Sequence, residues 1–288
     1  MSKAFLQHIS QKVGAGLDYE LSSDGNSYTI VGSSNCTAVS LSIPSMFRGK
    51  PVAEIASGAF LNKTNLKRVF IPDSIMKIGE QAFGGCSNLE HMTIPTCDIQ
   101  NYFYSLPFGY IFGETEYEGG ERTEQYYDSG VSGGRRWYTS YIPKSLTSIV
   151  YTGNIVSYGM FDSCENLKNV HLPNAESLYQ YALSDCKGLE HLELSNNLTG
   201  IDSGALSGIG VKSLIIPDSV TSIGFSTFGN TSPLKYFFYR GTAAQWSRVT
   251  IDVGNNCITS DIIYYFSETQ PTTGGRYWHY VDGVPTVW

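Results

Sequence analysis

The sequence predicts an α/β repeat, a solenoid built by stacking one short unit several times. Three observations predict it. First, one phrase recurs: GAFLNKTNLKRVFIP (Gly58 to Pro72), QAFGGCSNLEHMTIP (Gln81 to Pro95), GMFDSCENLKNVHLP (Gly159 to Pro173) and YALSDCKGLEHLELS (Tyr181 to Ser195). GALSGIGVKSLIIP (Gly204 to Pro217) repeats it with one residue deleted, and STFGNTSPLKYFFY closes the series at Tyr239. Second, an apolar anchor falls at Phe60, Phe83, Phe161, Leu183, Leu206 and Phe228, with a step of 22 or 23 residues in uninterrupted stretches. Third, each unit is too small to bury its own apolar side, so stacked units must bury it together.

The elements follow in order. Phe5, Leu6, Ile9 and Val13 sit at helical spacing, which predicts a short amphipathic helix at the start. DYELSSDGNSYTIVG reads as a hairpin turning at Asp24-Gly25, so residues 1–36 form an N-terminal cap. The repeats occupy 37–240. In NLEHMTIP, Leu89, Met92 and Ile94 mark a short strand with its apolar side inward, and the proline ends the ladder because it has no N–H. The AF-x-x-C segment is expected to be helix-like, with Phe83 and Cys86 on one buried face. The repeat breaks between Pro95 and Ile142, and the insertion at 96–141 is rich in aromatics and glycine. Phe103, Phe108, Tyr110 and Phe112 are expected to pack against neighbouring coils, and Glu118 to Tyr138 to form a hairpin or loop. Residues 241–288 make a C-terminal cap: Thr242 N-caps a short helix that lays Trp246 over the last coil, and RYWHYVDGVPTVW turns at Asp282-Gly283.

Between the recurring phrases stands a second one, PDSIMKIGEQAF, SNNLTGIDSGAL and PDSVTSIGFSTF. Together the two signatures resemble the BspA-type (Treponema-type) leucine-rich repeat family over Thr37 to Tyr239. The tail, with YRGTAAQW, YYFSETQP and YWHYVDGVPTVW, looks like the C-terminal cap of some bacterial members. The resemblance implies a right-handed, curved leucine-rich-repeat solenoid, with a parallel concave β-sheet and short helical segments on the convex side. It also implies a non-enzymatic, adhesin-like recognition scaffold, associated with the cell surface or secreted. Its partner would be a protein, or a glycan of an envelope or host. A structural spacer or self-associating scaffold is the alternative, and a carbohydrate- or choline-binding surface protein a second one.

Composition narrows the function. A net charge of −7 argues against nucleic-acid binding, which needs a basic stripe. Charged residues make up only 16% of the chain, while tyrosine occurs 20 times. No apolar run reaches membrane-span length, and the start MSKAFLQHISQKVGAG lacks a signal-peptide core. Read literally, that start predicts the cytoplasm, against the surface location the resemblance implies.

The six cysteines, Cys36, Cys86, Cys97, Cys164, Cys186 and Cys257, form no C-x-x-C pair and are expected to be buried thiols. Cys86, Cys164 and Cys186 share one repeat position that Lys63, Ile209 and Thr231 fill elsewhere. A catalytic or ligating thiol would not be interchangeable in this way. No nucleophile elbow, zinc-protease motif or phosphate loop is present, so no catalytic residue, cofactor or metal is assigned.

Three outward positions of each strand are expected to face the concave surface. The first gives Lys67, Glu90, Thr147, Lys168, Glu190, Lys212 and Lys235; the second gives Arg68, His91, Ser148, Asn169, His191, Ser213 and Tyr236; the third gives Phe70, Thr93, Val150, His171, Glu193, Ile215 and Phe238. Of these, Lys67, Arg68, Phe70, His91, Asn169, His171, His191, Glu193, Tyr236 and Phe238 are the candidate ligand-binding residues. His171, His191 and Glu193 are the sharpest cluster, and evenly spaced parallel strands favour a solvated polar patch over a zinc site. In the insertion, Arg135, Arg136 and Trp137 could grip a carboxylate or a sugar-borne acid, or be stray side chains of an exposed loop.

Overall fold

A computed structural model describes residues 16–96, 100–101, 104–105, 107–128, 135–231, 234–272 and 274–288. The expected N-terminal helix, Cys97 and Phe103 lie outside these residues. The chain divides into two compact units, Met1–Tyr151 and Thr152–Trp288.

The described part of the first unit opens on the predicted hairpin, Asp18–Leu21 against Tyr28–Gly32. Asp24 closes the turn by accepting from the Asn26 N–H (3.0 Å) and the Ser22 hydroxyl (2.6 Å), while Gly25 takes φ +70°. Two parallel ladders follow. One joins Tyr28–Gly32, Lys50–Ile55 and Lys77–Ile78. The other joins Ser40–Ser42, Arg68–Phe70, His91–Ile94 and Ser148–Tyr151. Each coil thus runs along both ladders and returns through the AF segment. Inside lie Leu66, Leu89 and Leu146, the Val69–Met92–Ile149 row, and Phe60 with Phe83, all buried. The Phe60 and Phe83 rings stack in parallel with centroids 4.9 Å apart.

The second unit repeats this plan. Ile155–Val156, Ser177–Leu178, Gly200–Ile201, Ser222–Ile223 and Thr250–Ile251 form one parallel ladder. The other sheet side holds Asn169–Leu172 against His191–Leu194. It then holds Ser213–Ile216, Tyr236–Tyr239, Ile263–Phe266 and Tyr277–Val281, with Val284–Val287 antiparallel at the end. Phe161, Leu183, Leu206 and Phe228 are enclosed.

The AF segments are not helices. Each is a run of separate i→i+3 turns, such as Leu61 N–H to Gly58 and Lys63 N–H to Phe60. The cause is local: every segment carries two residues in the left-handed region, four apart. The pairs are Gly58/Asn62, Gln81/Gly85, Gly159/Ser163, Tyr181/Asp185, Gly204/Gly208 and Ser226/Asn230. A left-handed residue ends an α-helix. It also frees the intervening amides to bond the next coil, as in Phe60 N–H to Ala82, Phe161 N–H to Ala182 and Leu183 N–H to Ala205. Among the described residues the only helices are a 3-10 turn at Phe108–Ile111 and an α-helix at Ala243–Trp246.

The repeated cysteine position is now explained by one bond. Cys86 Sγ donates to the Phe60 carbonyl (3.2 Å), and Cys186 Sγ to the Phe161 carbonyl (3.1 Å). Thr231 Oγ1 does the same to Leu206 (3.1 Å), and Cys257 Sγ lies 3.7 Å from the Phe228 carbonyl. Cysteine and threonine add this bond to the packing there, while Ile209, fully buried with no side-chain donor, shows that filling the space suffices. Burial pushes the Cys86 thiol up to about 12 and the Cys164 and Cys186 thiols above their ordinary value, so all three stay protonated. The described cysteines are all free thiols, buried except for half-buried Cys257. Cys257 also shows that one more coil, through Ile263–Phe266, follows the last recognisable phrase.

Candidate functional site

In the first unit the insertion splits into two parts with different roles. Pro107–Gly113 continues the stack, with Phe83 N–H bonding the Ile111 carbonyl, and Phe108, Ile111 and Phe112 fully buried. The second part is a hairpin, Gly120–Asp128 against Arg135–Pro143, in register from Gly120↔Pro143 to Asp128↔Arg135. Strand alternation gives it an inner and an outer face. Thr123, Gln125, Ser140 and Ile142 on the inner face are buried. Gln125 Oε1 accepts from the Gly109 N–H (2.6 Å), and a Cβ at position 109 would collide with Ser140 Oγ and Gln125 Oε1. Tyr138 Oη donates to Glu80 Oε1 (3.3 Å), and burial raises the Tyr138 pKa.

The outer face presents Tyr126 and Trp137, directly paired, with rings 4.9 Å apart and Trp137 66% exposed. Arg136 is exposed too. As neighbours in one strand, Arg136 and Trp137 project to opposite faces, so they do not share the single grip expected from GGRRW. Arg135 falls within the strand opposite Asp128, and its side chain lies outside the described ones.

On the first unit's sheet, Arg68, His91 and Ser148 lie in one row, and Phe70, Thr93 and Val150 in the next. Lys67 Nζ pairs with Glu90 Oε1 at 2.7 Å. Burial, then the Arg68 charge, lowers the His91 pKa, which leaves the imidazole neutral beside that guanidinium at pH 7.

In the second unit Asn169 pairs with His191, and His171 with Glu193. His171 Nδ1 is 3.3 Å from Glu193 Oε2, while Lys168 pairs with Glu190 at 3.1 Å. His191 is exposed one row away from the His171–Glu193 pair. Among the described residues no group of three His, Cys, Asp or Glu side chains is placed to hold a metal ion.

Phe238 departs from expectation. It occupies an outward position, yet it is only 4% exposed. The cause lies 40 residues downstream: the strand Tyr277–Val281 lays fully buried Trp278 beside it, centroids 5.2 Å apart. Trp278 is pinned by its Nε1–H, which donates to the Tyr239 carbonyl (2.8 Å). Phe238 is therefore floor, and the accessible rings around it are Tyr236 (40% exposed), Tyr264 and Tyr280 (37%). Two arginines border them. The Arg276 guanidinium lies 5.7 Å over Tyr264, and that of Arg240 lies 5.7 Å from the Tyr280 ring.

The cap helix is as predicted. Thr242 and Gln245 form a reciprocal capping box, and Trp246 packs edge-on against Phe237 and Tyr239.

Residues 32–106 and 140–250 match the family described as BspA type leucine rich repeat region, in six copies. The chain belongs to that family. No curated protein matches it. Among solved structures, a leucine-rich repeat protein of Treponema pallidum is 21% identical with a TM-score of 0.39, over 78% of this chain and 79% of that one. A leucine-rich repeat protein of Bacteroides ovatus is 21% identical, TM-score 0.30, over 88% and 72%. The pneumococcal vaccine antigen PcpA is 15% identical, TM-score 0.34, over 92% and 88%. No helix among the described residues is long and apolar enough to cross a membrane.

Proposed function

We propose that this member of the BspA-type family is a non-enzymatic recognition scaffold that binds a protein ligand through the outer face of its hairpin. One observation carries the reading. Trp137 is 66% exposed and pairs with Tyr126 on a hairpin whose opposite face is locked by buried Gln125, Ser140 and Thr123. A large ring held rigidly in solvent loses little entropy on binding and gains burial, which is how interface anchors work. Family membership supports a binding role and a place at the bacterial surface. The mixed polar and aromatic face of the first unit's own sheet, with Lys67, Arg68, Phe70 and His91, would form the surroundings of such a contact.

The test is an array of host-matrix and bacterial-surface proteins probed with the wild-type chain and with Trp137→Ala and Tyr126→Ala. Both positions lie on the outer face, so melting temperature is expected to stay the same. Trp137→Ala should weaken the captured interaction by about tenfold or more. Unchanged binding in both variants would refute the hairpin's role. Concentration-dependent dimerisation that disappears in Trp137→Ala would replace it with self-association.

A further inference from the structure

We propose that the C-terminal end of the second unit's sheet is a separate binding surface for an anionic saccharide. The first observation is Arg240. Its guanidinium is held by neutral groups alone: Nη2 donates to Tyr280 Oη (2.7 Å) and Nη1 to Asn196 Oδ1. Among the described residues it enters no ion pair, and its enclosed Nε has no hydrogen-bond partner. An arginine fixed in orientation, with donors to spare and no carboxylate opposite, is preorganised for an incoming anion.

The second observation is the other edge of the same strands. The outward first row pairs opposite charges elsewhere, Lys67 with Glu90 and Lys168 with Glu190. Here it sets Lys212 beside Lys235, which are exposed, bonded through Lys235 N–H to the Lys212 carbonyl, and in no ion pair among the described residues. Asp261 stands ahead of the next strand, two residues before Ile263, which pairs with Phe237; hydrogen bonds from Thr259 and its own backbone, then the Arg276 charge, lower its pKa. On a chain of net charge −7, like-charged lysines side by side are a local reversal of sign.

The third observation is the floor between the two edges. Lys235 and Arg240 flank the strand Tyr236–Tyr239, about 17 Å apart along extended chain. Along it and the next strands lie Tyr236, Tyr264 and Tyr280, with Phe238, Phe266 and Trp278 packed beneath and beside them. Tyr236 stacks on Phe238 with planes 4° apart and is itself 40% exposed, so its ring is held in a fixed orientation at the surface of the sheet. Flat aromatic faces with hydroxyl rims suit the C–H face and hydroxyl edge of a pyranose ring. Cations at both ends suit carboxylate or sulfate groups about that far apart. An acidic peptide shares the charge but has no planar apolar face to match the tyrosines.

Calorimetric titration of the full chain with a heparin hexasaccharide, an oligo-uronate hexasaccharide, neutral cellohexaose and poly-glutamate tests this. Binding of either anionic sugar, with no measurable binding of cellohexaose, is expected. The sulfated and carboxylated probes identify which anion is preferred. Arg240→Gln should weaken binding about tenfold or more. Lys235→Ser, at an exposed position that leaves the melting temperature unchanged, should reduce both affinity and its salt dependence. Trp137→Ala should leave saccharide binding intact, which separates this surface from the hairpin. Failure of both anionic sugars to bind, equal binding of cellohexaose, binding of poly-glutamate alone, or unaltered affinity in Lys235→Ser and Arg240→Gln would each overturn the proposal.

Discussion

Phe83→Ala is expected to cost about 3–5 kcal/mol of stability, the range for truncating an enclosed phenylalanine. Phe83 has no exposed surface, stacks on Phe60 at 4.9 Å, and bonds through its N–H to Ile111 in the next layer. The hole would therefore open between two coils, where neither neighbour can collapse into it without breaking a ladder. Phe83→Leu provides the contrast. Leucine already fills the equivalent position at Leu183 and Leu206, so that exchange should cost under about 1.5 kcal/mol. Urea unfolding at constant m-value measures both. A Leu variant as unstable as the Ala variant, or an Ala variant within about 1 kcal/mol of wild type, would contradict the stacked-anchor description.

Trp278→Ala is expected to be comparably costly, again about 3–5 kcal/mol, and to damage a surface as well as a core. Trp278 is fully buried and touches Phe238, Phe266 and Tyr280 at centroid distances of 5.2, 5.1 and 5.0 Å. Without it Phe238 becomes exposed, and Tyr280 loses the ring that seats it against Arg240. Trp278→Phe keeps an aromatic filler but loses the hydrogen bond to Tyr239 and part of the indole's volume, at a cost of about 1–3 kcal/mol. Thermal unfolding followed by near-UV circular dichroism should rank wild type above Phe and Phe above Ala. If Ala ranks with Phe, the indole is not what holds the cap to the last strands.

Much of this molecule is legible in its letters because repetition averages out local noise. Leu66, Leu89 and Leu146 recur at one place in the phrase, and all three are buried. The exchange of cysteine for Ile209 and Lys63 between copies marks the position as architectural, and where Cys186 gives way to Thr231 both side chains make the same bond. Asp24-Gly25 and Asp282-Gly283 read as turns because few other pairs tolerate positive φ, and both Asp282 (49°) and Gly283 (79°) have it. The helix-like reading of the AF segment failed for a related reason. Gln81, Tyr181 and Ser226 also take positive φ, at about 1–2 kcal/mol each, and nothing in those residue types announces it. The bonds to the next coil, which no single repeat contains, hold them there.

The candidate surfaces were harder to read because they depend on contacts distant in sequence. Phe238 sits at an outward position by its own phrase and is covered only because Trp278 arrives from the cap. Arg136 and Trp137 are adjacent letters, and only the hairpin register shows that they part to opposite faces. Gln125, the buried amide that fastens the hairpin, looked like one more polar residue in a charged run. Arg240 gave no signal at all, since its partners Asn196 and Tyr280 lie 44 and 40 residues away. One clue is present for the aromatic ledge: YFFY, IYYF and YWHYV are successive strands made almost entirely of ring-bearing residues, so the outward face carries rings as well as the inward one.

Alkylation of the native protein at mildly alkaline pH, followed by peptide mass spectrometry, probes most directly whether the repeated letters line a closed interior while recognition is left to the outside. Cys86, Cys164 and Cys186 should remain unmodified until urea unfolds the chain, with half-buried Cys257 reacting first among the described thiols. Modification of those three in the folded state, at the rate of an open thiol, would mean that the coils do not enclose them.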